Sequence, residues 1–165
     1  MEQWYLACHK TGKHHSFKVQ LLLARLGVEV FIPQVCIRQP RLDRPGHFRA
    51  VLEPLFPGYL FICFDPEVLH TSKISACPGM SHLVRFGGVI RPLHEAVVDE
   101  VMKLVLTVNA DSGQLQHRAL SRERRANETE QLTASQCQQI ERFIDEKDGR
   151  VRCALFYALA ESIKN

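Results

Sequence analysis

Glu53-Pro54-Leu55-Phe56-Pro57-Gly58-Tyr59-Leu60-Phe61 leads into a strand over residues 59–64 that carries aromatic side chains at Tyr59, Phe61 and Phe64. Successive strand residues point to opposite faces, so Tyr59 and Phe61 share one side of a sheet; that side is either core or an exposed aromatic surface. Upstream, residues 4–8 are short, apolar and aromatic and predict a buried strand. A helix follows, with Phe17, Leu21 and Ala24 on one stripe, Leu22 widening it and Gly27 at its stop. Residues 28–37 read as one strand with apolar residues on both faces. Residues 38–52 are basic and contain Pro40, Pro45 and Gly46, which predicts an extended hairpin tip or a loop.

Downstream, Asp65-Pro66-Glu67 is a helix-start signal with Asp65 as cap, and this short helix is expected to end near Cys77-Pro78-Gly79. Residues 82–86 read as a further strand and 94–106 as a helix bearing Val97, Val98, Val101, Met102 and Val105. The order β-α-β-β-α-β with a trailing helix fits an α+β sandwich, helices packed on an antiparallel sheet.

Beyond this domain, expected over residues 1–107, a polar stretch rich in arginine reads as a linker over 108–130, and residues 131–165 as a small C-terminal module. The module carries two signals. As helices, Thr133 caps a segment with Cys137, Ile140, Phe143 and Ile144 on one side, and Val151, Leu155, Leu159 and Ile163 line a second. As strands, residues 140–144 and 151–155 flank a turn at Asp148-Gly149. The alanines and leucines of the last fifteen residues favour a helical hairpin. Neither form buries much core alone, so the module is expected to dock.

The chain of 165 residues is 45% apolar and 24% charged, a globular composition, and its apolar runs are too short to span a bilayer. No membrane association and no secretory signal are expected, which points to the cytoplasm, and a monomer is expected. Six scattered cysteines without Cys-x-x-Cys spacing read as reduced thiols. The formal charge is only +3, but residues 1–50 hold eight Lys/Arg against three acids, a distribution suited to phosphates or simply to a solvated basic surface.

Catalytic signatures are missing: there is no P-loop, Gly-x-Gly-x-x-Gly, His-Glu-x-x-His or Gly-x-Ser-x-Gly. His14 and His15 are adjacent and point apart on a helix, a poor metal pair. No enzyme, cofactor or metal is therefore expected. An alternative class, a nucleic-acid-binding protein acting alone, stays open.

Trp4-Tyr5, the stretch 53–61, Phe64-Asp65-Pro66-Glu67-Val68, Gly79 and Val84-Arg85-Phe86-Gly87 together resemble the N-terminal domain of the NusG family, and within it the operon-specific RfaH-like branch with its plasmid-borne ActX-type relatives. The likeness covers about residues 1–106, in order and at similar spacing. It implies a transcription elongation and antitermination factor. Phe56, Tyr59 and Phe61 would form an exposed apolar contact with RNA polymerase, and aromatic anchors suit such an interface. His70, Thr71, Ser72 and Lys73 occupy the place of a polar motif that reaches the second large polymerase subunit, with Ser72 and Lys73 replacing threonines. Lys10, Lys13, His14, Ser16 and Gln20 fall where the family contacts non-template single-stranded DNA. Pro78 stands where that branch carries an arginine.

The resemblance also bears on the tail, which lacks the glycine-rich turn of a KOW β-barrel. RfaH-like proteins hold this region as a helical hairpin over the polymerase site and release it to refold as a barrel that recruits a small-subunit ribosomal protein. By that analogy Ile140, Phe143, Ile144 and Leu155 would cover Tyr59 and Phe61, with an ion pair between Glu53 and Arg152 as the latch.

Overall fold

The computed structural model describes residues 1–12, 14–111 and 131–163. The turn that opens the central strand explains its sequence. Tyr59 donates its backbone N–H to the Phe56 carbonyl at 3.0 Å, and Gly58 sits at φ +86°. Pro57 presets the first corner position and Gly58 supplies the positive φ of the second, the requirements of a type II turn. The chain then enters β5 (Tyr59–Phe64), which pairs antiparallel with β1 (Gln3–His9), Cys8 opposite Tyr59 and Leu6 opposite Phe61. β2 (Glu29–Phe31) and β6 (Met80–Leu83) complete a four-stranded antiparallel sheet in the order β2-β5-β1-β6.

The strand expected over 28–37 is broken at Pro33, which has no N–H to give to a ladder. Its second half becomes β3 (Gln34–Pro40), paired with β4 (Phe48–Pro54) in a separate two-stranded ribbon. The proline-containing stretch is therefore mostly strand, and only the turn between β3 and β4 is irregular. β6 likewise starts and ends earlier than residues 82–86.

Each side of the sheet buries its own cluster, following the period of two. Tyr5, Ala7, Leu60, Ile62 and Phe64 face α1 (His15–Arg25) and α2 (Thr71–Ser75). The stripe of α1 that does this is Val19 and Leu23; Phe17 is 71% and Leu21 49% exposed, so the expected face points to water. α2 begins later than expected. Its cap is His70, whose Nδ1 accepts the Ser72 N–H at 3.2 Å, while Asp65 instead holds a turn by accepting the Glu67 N–H at 2.9 Å.

The other side of the sheet carries Trp4, Leu6, Phe61 and Cys63, and α3 (Glu95–Asp111) covers part of it with Val97, Val98 and Val101. α3 runs four residues past the domain boundary expected at 107. Its last turn is tied to the ribbon through Asn109, whose Oδ1 accepts the Cys36 N–H at 2.9 Å and whose Nδ2 donates to the Gln34 carbonyl at 3.0 Å. The rest of the linker expected over 108–130 lies outside the described residues.

The remainder of that side is covered by α4 (Ala134–Glu141), a single 3-10 turn (Arg142–Ile144) and α5 (Gly149–Ser162). Both helix starts are written in the sequence. Thr133 and Gln136 exchange side-chain-to-backbone bonds of 3.2 and 2.8 Å, a capping box. Asp148 accepts the Arg150 N–H at 2.8 Å, so Asp148-Gly149 opens a helix rather than turning a hairpin. Among the described residues no helix is long and apolar enough to cross a membrane.

Candidate functional site

The aromatic face predicted around Tyr59 is present but covered. Phe56 and Phe61 are fully buried and Tyr59 is half-buried, so the exposure expected of them does not hold while the C-terminal helices are in place. Phe156 of α5 fills the centre: its ring lies 4.6 Å from Phe56 and 5.3 Å edge-on from Phe61, with Phe143 5.4 Å from Phe56. Ile140 is fully buried in the same cluster and Ile144 packs at its margin. Leu155 does not take part. It and Val151 face solvent, because α5 turns Arg152, Phe156, Leu159 and Ala160 inward, with Ile163 buried just past its end.

The expected ion pair between Glu53 and Arg152 is not made. Glu53 accepts from Gln39 Nε2 at 3.3 Å. Arg152, a buried cation, donates Nε to the Leu55 carbonyl at 2.6 Å and Nη2 to the Pro54 carbonyl at 3.3 Å. Its Nη1 reaches back to the Glu146 carbonyl at 2.7 Å, closing the approach to its own helix. A buried guanidinium with several donors is satisfied by carbonyl oxygens as well as by a carboxylate. The first turn of α5 sits so near the turn before β5 that a Cβ on Gly149 would come within 2.5 Å of Pro57.

The far end of α5 is held from the opposite direction. Arg91 donates to the carbonyls of Ile163, Ala160 and Glu161 at 3.1, 3.0 and 3.0 Å, and lies over the Phe86 ring at 4.8 Å. These are the unpaired terminal carbonyls of the helix, where a positive charge is favoured. Tyr157 stacks on Phe86 at 5.1 Å and donates to the Arg85 carbonyl at 2.9 Å. Neither Arg91 nor Phe156 was singled out from the sequence. Phe156 lies on an i, i+3, i+4 stripe with Arg152, Leu159 and Ala160, but the charge of Arg152 disguises that stripe.

Burial under α5 also sets the local chemistry. Tyr59 is pushed up to about 12, by burial first and then by the neighbouring Cys8, Cys153 and Tyr157. The Cys8 and Cys153 thiols are pushed up to about 11, chiefly by burial. All three are neutral near pH 7, which favours an apolar contact rather than nucleophilic chemistry.

The other predicted groups remain on the surface. His70, Ser72 and Lys73 are exposed and Thr71 is half-buried, gathered by the cap of α2, where His70 Nδ1 also lies 2.8 Å from Ser72 Oγ. Lys10 is exposed just past β1, and its N–H bonds the Gly79 carbonyl at 2.7 Å. His14 is exposed before α1, and Ser16 and Gln20 are half-buried one turn apart on it. Lys10 and His14 thus precede α1, Ser16 lies in its first turn, which holds no acid, and Gln20 lies at mid-helix. Lys13 lies outside the described residues.

Comparison with known proteins bears on this arrangement. A solved structure described as domain interaction in Thermotoga maritima NusG aligns at 21% identity over 67% of this chain and 58% of that one, with a TM-score of 0.37. The family model described as transcription termination factor nusG matches residues 2–102, the whole of the sheet domain except the end of α3. On that match the chain belongs to the NusG family, whose members act in transcription elongation and termination and interact with RNA polymerase.

Proposed function

We propose that this chain is a specialised antitermination factor of the RfaH-like kind, whose RNA polymerase-binding face is Phe56, Tyr59 and Phe61 and whose C-terminal helices are an autoinhibitory cover. The observation that carries the reading is the burial of that aromatic face under Phe143 and Phe156. A family domain keeping its most aromatic sheet face beneath a detachable two-helix module has a site to hide. His70, Thr71, Ser72 and Lys73 stay free to reach a second polymerase subunit. Lys10, Lys13, His14, Ser16 and Gln20 contact the exposed non-template strand, lysines on phosphate and polar groups on bases. Once released, the module is available for a second partner, a small-subunit ribosomal protein, after refolding to a KOW-like barrel.

Capture of core RNA polymerase by the full-length chain and by residues 1–111 tests this. Stronger capture by the shorter form supports both partner and cover. Capture by neither refutes the central reading, and equal capture by both refutes the cover.

A further inference from the structure

A cavity of about 470 Å³ opens at the seam between the sheet and α5. Its floor is a row of register partners on adjacent strands, Tyr59 on β5, Cys8 on β1 and His82 on β6, and cross-strand partners share a face. Leu83, Val84 and Arg85, where the chain leaves β6, form one wall, and Tyr157 of α5 forms the other. The site is therefore complete only while α5 is docked. Tyr59 and Arg85 give it donors. The Tyr59 hydroxyl makes no hydrogen bond among the described residues, where no side-chain nitrogen or oxygen shut off from solvent lacks a partner; this hydroxyl is therefore open on the side its ring lines. It keeps its proton to about pH 12 and so donates at neutral pH. The Arg85 guanidinium is exposed and gives one long bond, to the Gly88 carbonyl at 3.3 Å, which leaves most of its N–H groups over. None of the lining residues is acidic. Glu161, 3.5 Å from the Tyr157 hydroxyl, is turned to the Gly87 N–H at 3.1 Å. The remaining surface is apolar, made by the neutral Cys8 thiol, Leu83, Val84 and the two tyrosine rings.

We propose that this seam cavity binds a small aromatic carboxylate, its ring against Leu83, Val84 and the tyrosine rings and its carboxylate on Tyr59 Oη and Arg85, and that the bound ligand holds the C-terminal module closed. The volume suits such a ligand, since small-molecule sites span about 300–1,000 Å³ and combine apolar walls with a few polar groups. An anion is favoured over a cation because the free groups are a hydroxyl donor and a guanidinium, with no acid in the lining. An aromatic body is favoured over a bare inorganic anion, which would leave the apolar walls and both tyrosine rings unfilled. A ligand that touches Tyr59 on the sheet and Tyr157 on α5 binds the docked form alone, so it shifts the equilibrium toward closure by the factor 1 + [L]/Kd. That regulatory step rests on the autoinhibitory reading above, whereas the binding itself does not.

The test uses the full-length chain, phenylacetate as the probe and 2-phenylethanol as its neutral counterpart, titrated by saturation-transfer NMR. Phenylacetate binds in the millimolar range and 2-phenylethanol at least about tenfold more weakly, because hydrogen bonds to a charged acceptor are the stronger ones. Y59F, which loses only a hydroxyl without a partner in the protein, weakens phenylacetate binding by about tenfold; R85A, at a more solvated cation, weakens it by about threefold. With phenylacetate at about ten times its Kd, the amides of α5 exchange about tenfold more slowly. The site is overturned if millimolar phenylacetate shows no transfer, if 2-phenylethanol binds equally well, or if Y59F keeps the parental affinity. Binding without slower exchange of α5 overturns the hold on the module. Polymerase capture by residues 1–111 needs no ligand, so its failure is distinguishable from the failure of this site.

Discussion

Replacing Arg152 by alanine is the sharpest probe of the cover, because the structure and the charge pattern give opposite expectations for its supposed partner. Arg152 donates across the contact to Leu55 at 2.6 Å and to Pro54 at 3.3 Å. A hydrogen bond from a charged donor contributes about 1.5–3 kcal/mol, and the second bond is long, so losing both costs about 2–4 kcal/mol. At about 1.4 kcal/mol per factor of ten, the ratio of docked to undocked module falls by about 30- to 700-fold. Glu53→Ala removes only a 3.3 Å bond to Gln39 and leaves the module docked. Amide hydrogen exchange across residues 134–162 reads the difference. α4 and α5 have 8 and 14 residues, lengths at which a helix is marginal without tertiary contacts, so their amides exchange once undocked. Faster exchange in R152A but not in E53A is the expected result, with polymerase capture rising in step. If E53A speeds exchange as much as R152A, or if R152A matches the parent, the carbonyl latch is refuted.

Phe156→Ala opens a cavity among Phe56, Phe61 and Phe143 and costs about 3–5 kcal/mol, so hydrogen exchange of α5 in this variant approaches that of an undocked helix; unchanged protection would contradict the packing. Asn109→Ala leaves the buried Cys36 N–H without its acceptor and lowers stability by about 1–3 kcal/mol, visible as a lower denaturation midpoint. Tyr59 keeps its proton to about pH 12 beneath the cover, against an ordinary value of 10.0. The closed form therefore retains this contribution below about pH 10 and loses it as pH rises toward 12. Alkaline absorbance titration, corrected with Y59F, should show Tyr59 ionising earlier in residues 1–111; coincident curves would count against the cover as the cause.

Strand parity was the most readable feature. Tyr59 and Phe61 share a face because the period of two leaves no choice, and the Pro57-Gly58 corner admits one turn type. Helix faces were harder, since α1 carries two stripes of the same spacing. Phe17 with Leu21 and Val19 with Leu23 are both i, i+4 pairs, and only the sheet decides which is buried. Of the residues chosen by the same spacing at the C-terminus, Leu159 and Ile163 are buried as expected, whereas Val151 and Leu155 face water. The latch was misassigned for a different reason. Opposite charges suggest a pair in a sequence, whereas the acceptors that Arg152 uses are main-chain carbonyls, which every residue has.

Because Arg152 and Arg91 both close on backbone oxygen, neither fastening depends on the identity of the residue that supplies it. Side chains on the proposed polymerase-facing surface are then free to diverge toward a new partner without unfastening the module. Only changes that move the main chain itself, such as loss of Pro54 or Pro57, link the evolution of partner choice to that of autoinhibition.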